Sequence, residues 1–298
     1  MFGRVPMRPL RPLLPLLAPL TLAAQPERAA LAEGMRLLQA NEPVKAEAQF
    51  AKAIATNPKV GEYHLRLGQA VGAQAATAST VRQPFLARRV KAAFEEAVAL
   101  DPSLVEAREG LIFFYAFAPG LMGGSDEKAR EQQRALLTLN PMRGQMAAAT
   151  LAARARDTTG VERALRAAIA AAPDSAAPVV QLAQRQASWG RTPAAFTTLD
   201  AFLARRPTDL AARIQYGRLA GTSGQQLAKG ERYLREVLAG PSWPATIGVP
   251  SRAQVQYRLG VLLEKAGRVT EARSAYQQAL ATDPALKSAR EALGKLKG

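Results

Sequence analysis

The chain has 298 residues, of which 48% are hydrophobic and 21% charged, so it has the composition of a folded protein rather than a disordered one. The absence of cysteine excludes disulfides, thiolate zinc sites, iron–sulfur clusters and cysteine nucleophiles. A formal net charge of +16 draws a protein toward acidic partners, nucleic acid or anionic lipid. The basic residues, however, are mostly single arginines spread along helical segments, without a block of five or six and without interleaved aromatics, which argues against nucleic acid.

Residues 1–24 carry Arg4, Arg8 and Arg11, then the apolar run Leu13 to Leu22, then Ala23 and Ala24 before Gln25. A basic start, a short apolar centre and small residues are the parts of a secretory signal, and the run is too short to span a bilayer. Pro12, Pro15 and Pro19 oppose a continuous helix there, and the competing reading is a proline-rich tail. The expectation is an exported, periplasmic protein without a transmembrane span in its mature chain; the alternative, if the segment is not a signal, is cytoplasmic.

From residue 25 to 298 the sequence repeats. Alanine, leucine and arginine dominate, which favours helix because these side chains lose little rotamer freedom in one. A small residue followed by a closing proline recurs as Gly34 and Pro58, Gly68 and Pro102, Gly110 and Pro141, Ala149 and Pro173, Ala183 and Pro207, Gly217 and Pro241, and Gly260 and Pro284. These bound units of roughly 27–58, 61–102, 103–141, 142–173, 176–207, 210–241 and 253–284, with a capping helix over 285–297. The second and third units are stretched near Ala73–Pro84 and Ala118–Gly124, and Ser242–Arg252 reads as a linker. In the fourth unit the turn between helices is expected at Gly160.

The seventh unit is the clearest. Leu259, Gly260, Leu263, Gly267, Ala272, Tyr276, Ala279 and Pro284 match the spacing of the tetratricopeptide repeat, which this part of the chain strongly resembles. The physical reason is plain: Gly260 and Ala272 let two helices approach closely, Gly267 supplies the turn, and Pro284 ends the second helix. The resemblance implies an all-α fold, a right-handed superhelical solenoid of about seven helical hairpins with a C-terminal capping helix. No hairpin of this kind can bury its apolar face alone, so each stacks on its neighbours.

The sequence carries no phosphate-binding GxxxxGK[ST] loop, HExxH zinc motif or GxSxG elbow. His64 is the single histidine and reads as packing or surface, so the chain is expected to be non-enzymatic, with no cofactor and no metal. The stretch Ala118 to Ser125 is similar to a loop in a set of bacterial tetratricopeptide proteins. Its Ser125 is expected to cap the following helix, with Asp126 and Glu127 offsetting the helix dipole.

In the family, the first helix of each unit lines a concave inner surface. The family's inward places fall here on Leu31, Met35, Leu65, Gln69, Leu111, Phe114, Tyr115, Met146, Thr150, Arg154, Gln184, Ile214, Arg218 and Tyr257, with Arg108 and Gln181 beside them. Mixed apolar, aromatic and basic groups suit a protein or peptide segment with acidic and hydrophobic character. The places where one subgroup holds a C-terminal carboxylate with Lys and Asn are Leu31 and Met35, which argues against that clamp in the first unit. The resemblance thus implies a protein-interaction scaffold or adaptor of the bacterial cell envelope. The alternatives are a small-ligand or transport-associated binding component using the superhelix lumen and, with least support, a nucleic-acid binder.

Overall fold

The structure is a computed structural model that describes residues 26–240, 243 and 249–296. The expected signal segment, Pro241, most of the linker before the seventh unit and Lys297 lie outside the described residues. Those described form α-helices and one short 3-10 turn, with no strand among them. None of the described helices is long and apolar enough to cross a membrane.

The chain divides into two compact blocks, one ending at Leu104 and one beginning at Val105. The N-terminal block contains α1 (Pro26–Gln39), α2 (Pro43–Thr56), α3 (Gly61–Thr77) and α4 (Gln83–Leu100). Here α1 packs on α2, α2 on α3 and α3 on α4. The stretch in the second repeat is absorbed mainly by longer helices, since α3 has 17 residues and α4 has 18.

The C-terminal block contains α5 (Val105–Phe117), a 3-10 turn (Gly120–Met122), α6 (Asp126–Leu139), α7 (Pro141–Arg154) and α8 (Thr158–Ala171). It continues through α9 (Ala176–Ser188), α10 (Thr192–Arg205), α11 (Leu210–Ser223) and α12 (Leu227–Leu238). The last three helices are α13 (Arg252–Lys265), α14 (Val269–Thr282) and α15 (Lys287–Lys295). Each first helix packs on its second helix and each second helix on the next first helix, while α15 covers α14. A bond from Arg273 Nη2 to the Leu296 carbonyl at 2.7 Å anchors the end of that cover.

The small residues of the repeat sit where the pattern requires them. A Cβ on Gly34 would lie 2.8 Å from Phe50 Cδ1, and one on Gly68 would lie 2.7 Å from Phe94 Cε1. The same crowding meets Gly217 at Leu234 Cδ2, 2.6 Å, and Gly260 at Tyr276 Cδ1, 2.5 Å. Around these contacts the interior is aliphatic and aromatic; Phe50, Leu165, Leu199, Tyr216 and Tyr276 are fully buried.

Several turns within hairpins share one backbone conformation. Gly190, Gly224 and Gly267 have φ of 75°, 76° and 77°, each seven residues after the small residue of its hairpin. In the fourth hairpin that place belongs to Arg156, at φ 58°. This corrects the expectation that Gly160 makes the turn. Gly160 is buried inside α8, where its N–H donates to Asp157 Oδ1 at 2.8 Å and a Cβ would meet the Asp157 carboxyl carbon at 2.7 Å. It is small because a capping carboxylate lies against it.

The loop before α6 is ordered by its own backbone. Met122 N–H and Gly124 N–H both donate to the Pro119 carbonyl, at 2.8 and 3.2 Å, and Ser125 N–H donates to the Tyr115 carbonyl at 2.9 Å. Ser125 Oγ accepts from Lys128 N–H at 3.3 Å, so the expected cap is present.

Candidate partner-binding site

The expected binding residues separate into three groups. Leu65, Leu111, Phe114, Tyr115 and Ile214 are buried and contribute to packing rather than to an open face. Phe114 and Tyr115 meet edge to face, with ring centres 5.8 Å apart, and Ile214 belongs to the main core of the C-terminal block. For these five the structure corrects the reading: first-helix places that face a groove in the family face neighbouring helices here. Leu31 and Met35 are half-buried against the cluster of Leu37, Phe50 and Ala70, and Tyr257 lies 5.7 Å from Tyr276.

A second group is engaged with polar neighbours. Arg108 Nη1 donates to Gln132 Oε1 on α6 at 2.8 Å, and Gln69 Oε1 accepts from Arg66 Nη1 at 3.1 Å. Arg154 Nη1 pairs with Asp126 Oδ1 at 2.5 Å, so the last turn of α7 is tied to the first turn of α6. His64, expected at packing or surface, has its Nε2 2.9 Å from the Pro58 carbonyl.

The third group, Met146, Thr150, Gln181, Gln184 and Arg218, lies on the first helices α7, α9 and α11. Between α5, α7 and α9 lies a hollow of about 200 Å³ lined by Glu109, Phe113, Met146, Ala147, Thr150 and Gln181. Burial pushes the Glu109 carboxyl above its ordinary range, against the pull of Arg143, whose Nε is 3.0 Å away. The Gln181 Oε1 atom at the hollow is buried without a hydrogen-bond partner. One helical turn along α9, Gln184 Nε2 donates to Gln215 Oε1 on α11 at 3.2 Å, and the same oxygen accepts from Arg218 Nε at 3.0 Å. Arg258, half-buried on α13, holds the place in its hairpin that Gln215 holds on α11.

Thr150, Gln181, Gln184, Gln215, Arg218 and Arg258 therefore make a polar ribbon on the first-helix face of the C-terminal block. It has a rule of register. The residue just after the small residue of one hairpin adjoins the residue two before the small residue of the next, as Gln184 bonds Gln215 and Thr150 lines one hollow with Gln181. Gln215, Arg258 and Phe113 were not singled out from the sequence. The signal was present, since Gln215 and Arg258 hold the same place in their hairpins as Arg108 and Gln181. A larger hollow of about 380 Å³, lined by Arg166, Ile169, Thr198, Phe202 and Arg205 among others, opens chiefly between the second helices α8 and α10.

Among the described residues no group of three or more His, Asp or Glu could hold a metal ion. Residues 217–287 match the profile of the tetratricopeptide repeat. A tetratricopeptide repeat protein from Parabacteroides merdae is similar over 92% of this chain and 100% of its own, with TM-score 0.53 and 14% identity. The chain has the tetratricopeptide-repeat fold, and its residues 217–287 carry the family's profile.

Two further solved repeat folds resemble it. Yeast Tom70 is similar over 91% of this chain, with TM-score 0.62 and 15% identity; the match spans 56% of Tom70. The human IFIT1 dimer with m7Gppp-AAAA is similar over 91%, with TM-score 0.56 and 16% identity, spanning 63% of that chain. Identities this low speak to the fold alone. Residues 63–196 match the profile of the TRAP transporter T-component. No curated protein matches the chain.

Proposed function

We propose that this protein is a non-enzymatic binding component of the bacterial cell envelope that holds a segment of a partner protein along the ribbon from Thr150 to Arg258. One observation carries the reading. The ribbon keeps hydrogen-bonding capacity that the chain does not use on itself, in the buried Gln181 Oε1 and Gln215 Nε2 atoms. Leaving such groups unpaired costs free energy, about 1–3 kcal/mol each, so a ligand that supplies partners recovers it. The backbone of an extended peptide, with alternating N–H and C=O groups, has the right chemistry for a row of side-chain amides. The hollow beside Phe113 and Met146 takes an apolar side chain of that segment.

The envelope placement rests on the basic, apolar and small residues at the start of the sequence. A second reading, association with a transport system, is supported by the TRAP transporter T-component profile over residues 63–196. The two are compatible if the partner is itself a transport protein.

The test fills the ribbon. Thr150→Trp with Gln184→Trp should abolish capture of a partner from envelope extracts. Arg130→Trp with Arg163→Trp, at exposed places on second helices, should leave capture intact. Equal capture by both double variants would remove the ribbon from the binding surface.

A further inference from the structure

The hollow between the second helices has a mark in the sequence. Phe202 stands at the place, counted back from the closing proline of its hairpin, where Ala53, Ala97, Ala168 and Ala279 stand in four others. Those four alanines are fully buried. The phenylalanine that replaces them on α10 gives the hollow an aromatic wall. Helices α8 and α10 both pack on α9 and leave about 380 Å³ between them. That is within the range of small-molecule sites, about 300–1,000 Å³.

The lining is apolar along its length and charged at its ends. On α10, Ala194, Thr197, Ala201, Phe202 and Arg205 recur at helical spacing on one face, over about 16 Å of helix. Val179 and Leu182 of α9 and Ile169 of α8 complete the apolar wall. The polar groups between them are engaged within the chain: Thr198 Oγ1 donates to Gln186 Oε1 at 2.8 Å, and Thr197 Oγ1 to the Pro193 carbonyl at 3.1 Å. Two arginines remain, and they differ. Arg166 is neutralised by Glu162, 2.8 Å away, and Glu162 also pairs at 2.9 Å with Arg191, which sits just before α10. Arg205 is the last residue of α10, and its Nη2 donates to a neutral group, the Pro173 carbonyl, at 3.2 Å. Among the described residues no carboxylate pairs with Arg205. One end of an apolar trough thus keeps an unbalanced cation, while the cation at the other end is matched.

We propose that this hollow binds a single-chain fatty acid, with its anionic head on Arg205 and its hydrocarbon chain along α10 toward Ala194. The planar fork of a guanidinium matches the two oxygens of the head group. Each CH2 taken fully out of water adds about four-fold in affinity, so a chain long enough to follow the apolar stripe is favoured over a short one. The charge at Arg205 selects the acid over the alcohol of the same length. The hollow shares no residue with the ribbon, so it does not depend on the peptide-binding reading above.

The full chain is titrated with cis-parinarate, whose fluorescence rises in an apolar site, and the probe is then displaced with dodecanoate, octanoate and dodecanol below their micelle thresholds. Dodecanoate should displace it, octanoate about ten-fold less well or worse, and dodecanol about five-fold less well or worse. Arg205→Gln should erase the preference for dodecanoate over dodecanol. Ala201→Trp, which sets an indole into the hollow from an exposed place, should abolish probe binding, and Ala51→Trp, exposed on α2, should leave it unchanged. Helicity and melting temperature are followed in each variant, and Thr197→Trp, also from an exposed place, fills the hollow if Ala201→Trp does not fold. Failure of wild type to bind the probe, equal displacement by acid and alcohol, a preference that survives Arg205→Gln, or wild-type binding by a folded, filled variant would overturn the proposal.

Discussion

Gly260 on α13 and Tyr276 on α14 are in face-to-ring contact: a Cβ on the glycine would stand 2.5 Å from Tyr276 Cδ1. The ring has no room to withdraw, since Tyr276 is fully buried and its hydroxyl donates to Glu264 Oε2 at 2.7 Å. Burial, and then the bond to Glu264, hold the Tyr276 hydroxyl far above its ordinary range, so it remains a neutral donor. Gly260→Ala is expected to destabilise the last hairpin by about 1–3 kcal/mol through overpacking. Because neighbouring repeats unfold semi-independently, hydrogen exchange confined to α13, α14 and α15 is the measurement. Unchanged protection there would remove the contact from the account.

Arg156 offers the opposite change. It holds φ 58° at the turn place that Gly190 and Gly267 fill elsewhere with φ 75° and 77°. A left-handed residue with a Cβ costs about 1–2 kcal/mol, and glycine returns roughly half of that gain as lost chain entropy. Arg156→Gly should therefore stabilise by about 0.5–1 kcal/mol and raise the melting temperature by roughly 1–4 °C. A fall in melting temperature would mean that the exposed Arg156 side chain makes a contribution larger than the backbone term.

Glu109 gives a dependence on pH. Its folded pKa is raised by burial in spite of Arg143, so the fold binds the proton more tightly than the unfolded chain does. Between the ordinary glutamate range and the raised folded value, stability falls as pH rises through this group. Glu109→Gln should be at least as stable as wild type at neutral pH, with the difference closing below the ordinary glutamate range. Melting curves across that window decide it; a variant less stable at neutral pH would show that the Arg143 pair outweighs the desolvation.

Much of the fold was legible because its spacing has direct steric causes. Gly34, Gly68, Gly217 and Gly260 recur where an aromatic or leucine side chain from the second helix presses on the first. The fourth hairpin misled because Gly160 looks like a turn residue, while a capping carboxylate is what demands its size and Arg156 accepts the strained turn.

The candidate site was legible only in part. Transfer of inward places named Thr150, Gln184 and Arg218, but the same place on α5 holds Leu111, which turns into the packing as Phe114 and Tyr115 do further along that helix. Gln215 and Arg258 were missed because pairing across hairpins depends on which first-helix residues meet. A single repeat read by itself does not contain that relationship.

The central claim is that a partner lies along the ribbon between Thr150 and Arg258. The most direct measurement is a photo-crosslinking amino acid placed in vivo at Gln184, on the ribbon, and separately at Arg163, exposed on α8. The account expects one discrete polypeptide crosslinked from position 184 and none from position 163. Crosslinks from 163 alone, or none from 184, would contradict it.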